Sequence, residues 1–124
     1  MDIKKKHITV LGSTGSVGSQ TLDVARFLGL KVDAIAFGSN IRLGEEQIRA
    51  FRPKYAAIGD ETAAKSLRIA VKDTDTAVLS GRDCICEMID TLSSEVCINA
   101  LSGFAGLRPT LAAIRRFPRI GLAN

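Results

Sequence analysis

The sequence predicts an α/β domain in which a doubly wound, mainly parallel sheet carries helices on both faces. Short runs of β-branched and apolar residues alternate with longer segments of helical periodicity, and this alternation is typical of parallel strands joined by crossover helices. A chain of 124 residues, 46% hydrophobic and 24% charged, is long enough to bury one core. No internal repeat or flexible linker divides it, so we expect residues 1–124 to form a single domain.

Strands and helices alternate regularly in this prediction. The strands are short runs bounded by turn residues, and they cover His7–Leu11, Val32–Phe37, Tyr55–Ile58, Ala77–Leu79, Val96–Leu101 and Ile120–Leu122. The helices occupy the segments between them, over Ser16–Leu28, Ile41–Phe51, Glu61–Ala70, Arg82–Leu92 and Leu107–Arg116. On the first helix we expect one stripe at the helical period to face the sheet, formed by Val17, Thr21, Val24, Ala25 and Leu28.

Particular residues set the ends of these helices. Gly29 is expected to end the first helix because glycine readily adopts the left-handed conformation there, and Pro53 follows the second. Asp60 is a candidate N-cap of the third helix. Pro109 lies in the first turn of the fifth, where its missing N–H costs little. The local residue types therefore predict where these helices begin or end.

The composition argues against several classes of function. The formal net charge is +4, but the basic residues, such as Lys4–Lys6, are not interleaved with aromatic side chains, so we expect no nucleic-acid partner. The spacing of the possible zinc ligands is wrong for a zinc site; these are Cys84, Cys86, Cys97 and His7. We therefore expect the three cysteines to be reduced and structural, as in a cytoplasmic protein. No apolar stretch approaches the roughly 20 residues that cross a bilayer, and the basic start leaves no room for a signal peptide.

A glycine-rich loop follows the first predicted strand and opens the first helix. Residues Gly12–Gly18 have the pattern G-x-x-G-x-x-G, which brings backbone and helix N-terminus close to a diphosphate. We expect the amide N–H groups of Thr14, Gly15, Ser16 and Val17 to be free to donate to it. A nucleoside triphosphate loop would need a lysine after its last glycine, which is missing here. Glycines alone can also merely close a turn, but the strand, loop, helix and second strand together favour a Rossmann-like dinucleotide site.

The residues after the second strand indicate which dinucleotide fits. An NADH site places a carboxylate roughly 20 residues beyond the glycines, on the ribose 2′-hydroxyl. Gly38, Ser39 and Asn40 lie there instead, and their hydroxyl and amide groups can donate to a 2′-phosphate without repelling it. We therefore expect NADPH; alternatively, these residues only form a turn in which Asn40 caps the next helix. A third wall of the site is predicted at Ala100–Gly103.

Several longer motifs resemble one enzyme family. They are I-T-V-L-G-S-T-G-S-V-G-S at Ile8–Ser19, T-L-D-V at Thr21–Val24, G-L-R-P-T-L-A-A-I at Gly106–Ile114 and L-A-N at Leu122–Asn124. In this order they resemble the 1-deoxy-D-xylulose 5-phosphate reductoisomerases. The resemblance implies NADPH-dependent conversion of 1-deoxy-D-xylulose 5-phosphate to 2-C-methyl-D-erythritol 4-phosphate in non-mevalonate isoprenoid biosynthesis. It also implies a divalent metal, Mg²⁺ or Mn²⁺, and a homodimer of the full-length protein.

The resemblance also assigns residues to parts of the cofactor. Thr14, Gly15, Ser16 and Val17 would hold the diphosphate. The ribose phosphate would be held by Gly38, Ser39 and Asn40, and the nicotinamide side would be approached by Asn124. Family members often carry lysine or arginine where this chain has Ser39, and Arg42 is a candidate to compensate.

The chain stops directly after a predicted strand, so we expect a fragment. The resemblance places catalytic residues, metal ligands and the later domains of the family beyond it, and implies no catalysis by this chain alone. Two alternatives stay open at this point. One is the cofactor domain of another NADPH reductase, such as an aspartate-semialdehyde dehydrogenase, whose glycine loop looks alike. The other is a non-catalytic redox sensor that binds a dinucleotide.

Overall fold

The computed structural model describes residues 6–101 and 107–122, in which strands and helices alternate along the chain. The strands are β1 His7–Leu11, β2 Lys31–Phe37, β3 Tyr55–Ile58, β4 Ala77–Ser80, β5 Val96–Asn99 and β6 Arg119–Leu122. The helices are α1 Ser16–Leu28, α2 Ile41–Phe51, α3 Glu61–Ala70, α4 Cys84–Ile89 and α5 Leu107–Arg116. No helix within the described ranges has the length and apolar character to cross a membrane.

All six strands belong to one sheet in the order β4-β3-β2-β1-β5-β6, and every neighbouring pair is parallel. The chain starts at the centre with β1, moves outward through β2, β3 and β4, and returns to the other side of β1 with β5. This order confirms the predicted doubly wound, Rossmann-like sheet. The strand order changes direction between β1 and β5, and ligands of such sheets bind outside the carboxyl ends of the strands at this point.

The core is divided between the two faces of the sheet. On one face, α1, α2 and α3 cover large aliphatic strand residues such as Val10, Ile35 and Ile58. On the other face, α4 and α5 pack against smaller residues, including Ala36 and Cys97. The helices therefore lie on both faces, as the sequence predicts.

The face of α1 that packs on the sheet differs from the prediction. Val17 and Val24 are 42% and 55% exposed, and the buried side is formed by Gly18, Leu22 and Ala25. A Cβ atom at Gly18 would lie 1.9 Å from the carbonyl oxygen of residue 12. The helix turns this glycine inward because no other residue type permits so close an approach, and two valines are left outward.

Two other elements are shorter than predicted. The predicted helix from residue 82 to 92 is helical only at Cys84–Ile89, because the amides of Thr91 and Leu92 donate to carbonyls three residues back in tighter turns. Strand β5 ends at Asn99 rather than Leu101. The Asn99 side chain accepts a hydrogen bond from the Leu101 amide at 3.0 Å, and this local bond turns the chain out of the strand.

Candidate phosphate-binding site at the carboxyl ends of the strands

The glycine loop is anchored to the end of β2 by backbone hydrogen bonds. The amides of Gly12 and Ser13 both donate to the Ala36 carbonyl oxygen, at 2.7 and 2.9 Å. Gly12 has a φ of +82°, and a Cβ atom there would lie 2.8 Å from the carbonyl carbon and oxygen of Ala100. Only glycine combines this left-handed conformation with such close packing, so the first glycine brings the loop against the end of β5.

Three of the four amides that the sequence predicts to be free are left without partners. Within the described part of the chain, the N–H groups of Thr14, Ser16 and Val17 make no hydrogen bond. The Gly15 amide donates to the Gly12 carbonyl oxygen at 3.3 Å, so the prediction that it is free is wrong. The unpaired donors lie at the positive end of the α1 dipole. This arrangement suits an anion such as a phosphate group.

Sequence reasoning missed one buried residue that holds this loop. Gln47 of α2 is 5% exposed, and its Nε2 donates to the Ser13 carbonyl oxygen at 2.8 Å. A signal for it exists in the sequence, since it lies on the same helical face as the buried Gly44 and Ile48. A polar side chain on the inner face of an amphipathic helix needs a partner in the interior.

The turn after β2 is open to solvent on its outer side. Gly38, Ser39 and Asn40 are all exposed, and a Cβ atom built at Gly38 would meet nothing within 4 Å. The Asn40 side-chain oxygen accepts from the Leu43 amide at 3.2 Å, so the predicted capping role is confirmed. Because the cap uses only the oxygen, the side-chain NH₂ of Asn40 is left to donate elsewhere.

The remaining predicted site residues are only partly described. Ala100 and Leu101 are half-buried at the end of β5. Their amides are held within the protein, by the Leu11 carbonyl oxygen at 2.8 Å and by the Asn99 side chain respectively. Ser102, Gly103 and Asn124 lie outside the described residues. The structure thus brings the glycine loop, the turn after β2 and the start of the β5 loop to one edge, which we call the carboxyl edge.

The cysteines are not among the predicted site residues and lie in or beside the core. Cys84 and Cys97 are buried and Cys86 is half-buried, and none forms a disulfide. Burial raises the pKa of the Cys97 thiol to about 12 and also raises the pKa of Cys84, which keeps both thiols protonated and inert. Among the described residues, no three His, Cys, Asp or Glu side chains are grouped to hold a metal ion.

A second polar cluster, which the sequence did not predict, joins the amino ends of the strands. The Asp33 carboxylate accepts from His7 Nδ1 at 2.7 Å and from the Ser94 hydroxyl at 2.6 Å. Because the Ser94 proton is used in this way, Thr9 Oγ1 donates to Ser94 Oγ at 2.8 Å. The His7 amide donates to a Glu95 carboxylate oxygen at 2.7 Å. We call this cluster of His7, Thr9, Asp33, Ser94 and Glu95 the amino edge.

The fold and the glycine loop define the class of the protein: it is a Rossmann-like domain with a glycine-rich loop at the switch point of its sheet. The particular family follows from comparison with known proteins. The family model described as 1-deoxy-D-xylulose 5-phosphate reductoisomerase matches residues 8–124, and the chain belongs to this family. This membership decides against the aspartate-semialdehyde dehydrogenase alternative.

Individual relatives agree with the family match. The chain is 42% identical over 120 residues to the 1-deoxy-D-xylulose 5-phosphate reductoisomerase of Agathobacter rectalis, covering 96% of this chain and 32% of the relative. It is also 42% identical to that of Lachnoclostridium phytofermentans, with 96% and 31% covered. The chain therefore spans about a third of the length of these curated relatives.

Solved structures show the same fold. The reductoisomerase from Zymomonas mobilis in complex with NADPH is similar with a TM-score of 0.90 and 30% identity, over 97% of this chain and 32% of that one. A reductoisomerase in complex with NADPH, fosmidomycin and magnesium is similar with a TM-score of 0.87 and 29% identity, over 96% of this chain and 30% of that one.

Proposed function

We propose that this chain is the NADPH-binding domain of an enzyme that converts 1-deoxy-D-xylulose 5-phosphate to 2-C-methyl-D-erythritol 4-phosphate in non-mevalonate isoprenoid biosynthesis. Its family membership and the NADPH complexes of its structural relatives support the reaction and the cofactor. The observation that carries the proposal is local: three backbone donors without protein partners cluster at the N-terminus of α1.

The glycine loop suits the diphosphate bridge of the cofactor. In the proposed complex, the amides of Thr14, Ser16 and Val17 donate to its oxygens, and Gly15 contributes its small size rather than its N–H. A Cβ atom at Gly15 would be in ordinary contact with protein, 3.6 Å from the nearest atom, so its glycine character leaves room on the outer, exposed side. No acidic residue lies in the first turn of α1 to repel the anion.

The turn after β2 suits the 2′-phosphate. The backbone and side chains of Gly38, Ser39 and Asn40 are exposed at the carboxyl edge, and no carboxylate is among them. Arg42 lies in the first turn of α2 with an exposed side chain. Within the described residues its guanidinium forms no ion pair, so it is available to the phosphate. In this proposal Arg42 supplies the positive charge that Ser39 lacks.

The chain's own residues bind and orient the cofactor, which supplies the hydride for the reduction when bound. We propose that Asn124 approaches the nicotinamide. The substrate site, the catalytic groups and the ligands of a Mg²⁺ or Mn²⁺ ion belong, in this proposal, to the two thirds of the relatives that this chain does not span. We further propose a cytoplasmic homodimer of the longer protein, with no nucleic-acid or membrane partner.

Calorimetric titration of the chain with NADPH and with NADH tests the cofactor assignment. We expect NADPH to bind about tenfold more tightly or better, because the 2′-phosphate gains charge-assisted hydrogen bonds. Tighter binding of NADH would overturn the choice of cofactor, and binding of neither would overturn the proposal that this chain holds it. Turnover of 1-deoxy-D-xylulose 5-phosphate by the longer protein separates an enzyme from a redox sensor.

The role of Arg42 is tested by the same titration. An Arg42→Ala variant is expected to bind NADPH roughly five- to tenfold more weakly and NADH as before, since only NADPH carries the 2′-phosphate. Lys65→Ala is the matched control, because it removes one positive charge from an exposed helical position on α3. An unchanged preference for NADPH in the Arg42 variant would remove Arg42 from the site.

A further inference from the structure

The buried side chain of Gln47 pairs only one of its two polar atoms. Its Nε2 atom donates to the backbone carbonyl oxygen of Ser13 at 2.8 Å. Since a carbonyl oxygen can only accept, the orientation of the amide is fixed by this partner. Its other atom, Oε1, and the neighbouring loop hydroxyl, Ser13 Oγ, are buried without a hydrogen-bond partner among the described residues. The side chain therefore connects α2 to the glycine loop through one hydrogen bond.

The close packing of α2 on β2 brings Gln47 within reach of the loop. A Cβ atom at Gly44 would lie 2.2 Å from Cζ of Phe37, so only glycine allows the helix to lie directly on this ring. Gly44, Gln47 and Ile48 form the buried side of the helix. The Gln47 side chain is consequently held in place by the packing of its own helix.

The hydrogen bond to Ser13 has a consequence for the next amide. A trans peptide unit is planar, and its C=O and N–H groups point in opposite directions. The carbonyl of Ser13 and the N–H of Thr14 belong to one such unit, and no cis peptide bond occurs in the described chain. Because Gln47 fixes the carbonyl toward α2, the Thr14 N–H must point away from α2. This N–H is one of the three unpaired donors at the carboxyl edge.

We propose that Gln47 is a positioning residue for the diphosphate of the cofactor. It acts through the Ser13–Thr14 peptide and holds the Thr14 N–H in the orientation that receives the anion. The amides of Gly12 and Ser13 are held by the Ala36 carbonyl, and the Gly15 amide is held by the Gly12 carbonyl. The Ser13–Thr14 peptide between them is held by Gln47. The inference rests on the proposed binding of NADPH, and it adds a residue that does not touch the cofactor.

Stability alone does not explain a glutamine at this position. Its orphan Oε1 is buried at a cost, which offsets the gain from the hydrogen bond of its Nε2. Methionine has nearly the same length and no polar atom. The Gln47→Met substitution removes the orphan oxygen but also leaves the Ser13 carbonyl without its donor, so its effects on folding oppose each other. We therefore expect a small change in stability together with a clear change in binding.

The test compares two ligands on two matched variants. Gln47→Met is expected to bind NADPH about tenfold more weakly, the loss that follows when one charge-assisted hydrogen bond is no longer aligned. Adenosine 2′-monophosphate, which has the 2′-phosphate but no diphosphate, should bind the variant and the parent chain within about twofold of each other. Gln20→Met is the control, since Gln20 is exposed on α1, and it should change neither affinity.

An amide-resolved measurement makes the result independent of NADPH. In the ¹⁵N-labelled chain, inorganic pyrophosphate should shift the amide signals of Thr14, Ser16 and Val17. In Gln47→Met the response of Thr14 should be lost, whereas the responses of Ser16 and Val17 are retained. Far-UV circular dichroism and the thermal midpoint of each variant report whether the fold is intact.

The outcomes separate this inference from the proposed function. If the parent chain binds NADPH and Gln47→Met binds it equally well, the positioning role is overturned. If Gln47→Met weakens the affinity for both nucleotides equally and also lowers the thermal midpoint, Gln47 has only a structural role and the positioning role is overturned. If the parent chain does not bind NADPH, the proposed function fails, and the pyrophosphate response of Thr14 decides the inference alone. A Thr14 amide that does not respond in the parent chain overturns it.

Discussion

The two edges of the sheet differ in whether their polar groups have hydrogen-bond partners within the protein. At the amino edge, Asp33, His7, Ser94 and Thr9 form a continuous series of side-chain hydrogen bonds between 2.6 and 2.8 Å. At the carboxyl edge, Thr14 and two further residues present backbone N–H groups that no described protein atom accepts. A polar cluster whose groups are all paired stabilises the fold, whereas donors without partners are available to a ligand such as the proposed cofactor.

The difference follows from the direction of the strands. In a parallel sheet each strand leads into a helix N-terminus at its carboxyl end, where the first amides have no partner within the helix. At the opposite edge, side chains of neighbouring strands and turns form hydrogen bonds with one another. Here a bulge in β2 next to Ile8 and Thr9 of β1 accommodates Asp33, whose carboxylate joins residues of β1 and of the turn before β5. The same fold therefore leaves unpaired donors at one edge and pairs the polar side chains at the other.

The largest effect is expected at Gly18, where α1 packs closely on the glycine loop. A Gly18→Ala variant places a methyl group 1.9 Å from the Gly12 carbonyl oxygen, so loop and helix must separate. We expect a loss of about 3 kcal/mol in the free energy of unfolding and loss of measurable NADPH binding. Urea denaturation and calorimetry measure the two effects.

Gly59→Ala is the control for this change, because a Cβ atom at Gly59 meets nothing within 4 Å. It should leave both properties unchanged. A Gly18→Ala variant as stable and as active in binding as the parent chain would show that the close approach of α1 to the loop is not required.

A smaller effect, confined to stability, is expected at the amino edge. Asp33→Ala leaves the His7 ring and the buried Ser94 hydroxyl without their acceptor, and the free energy of unfolding should fall by about 2 kcal/mol. NADPH affinity should remain unchanged, because the substitution lies at the opposite edge. Asp75→Ala, at an exposed position, controls for loss of one negative charge. A weaker affinity for NADPH in Asp33→Ala would show that the two edges are not independent.

The smallest effect concerns the pH dependence of stability. The His7 amide, which donates to Glu95, holds the pKa of this carboxyl below its usual value of 4.5. A carboxyl whose pKa is lower in the folded state stabilises the protein above pH 4.5 and loses this contribution as the pH falls through the folded-state pKa. Glu95→Gln should therefore flatten the stability profile of the chain below about pH 5.

The control for Glu95 is Glu46→Gln on the exposed side of α2, which should keep the shape of the parent profile. Thermal melts between about pH 3 and pH 6 measure both variants. A Glu95→Gln profile that falls as steeply as that of the parent chain would assign the acid sensitivity to other carboxyl groups.

Local patterns predicted most of the fold because they depend on neighbours in sequence. The N-cap at Asp60 and the helix end at Gly29 are found as expected, and the sheet follows from the alternation of strands and helices. Local patterns gave the wrong result where a contact between residues distant in sequence determines how a helix packs. Val24 fits an inward face of α1 by periodicity, but the close approach at Gly18 rotates it outward.

At the candidate site, too, the sequence predicted local features but not contacts between distant residues. Its glycines were identified from the loop pattern, whereas the hydrogen bond of the Gly15 amide within the loop was not. The contact between Gln47 and Ser13 joins residues 34 positions apart, and the cluster around Asp33 joins three separate segments. No local pattern contains such information, because it arises only when the helices have packed on the sheet.

The Ala36 carbonyl oxygen accepts from two successive loop amides, and this contact determines how far the glycine loop lies from the turn after β2. Ala36 lies two residues before Gly38, so the glycine loop and the turn after β2 are both attached to the carboxyl end of the same strand. The distance between them is set by backbone contacts at the end of β2. In the proposed complex, this shared strand end sets the distance between the diphosphate and the 2′-phosphate. A nucleotide that carries both groups at the spacing found in NADPH is therefore expected to bind more tightly than one with a different spacing.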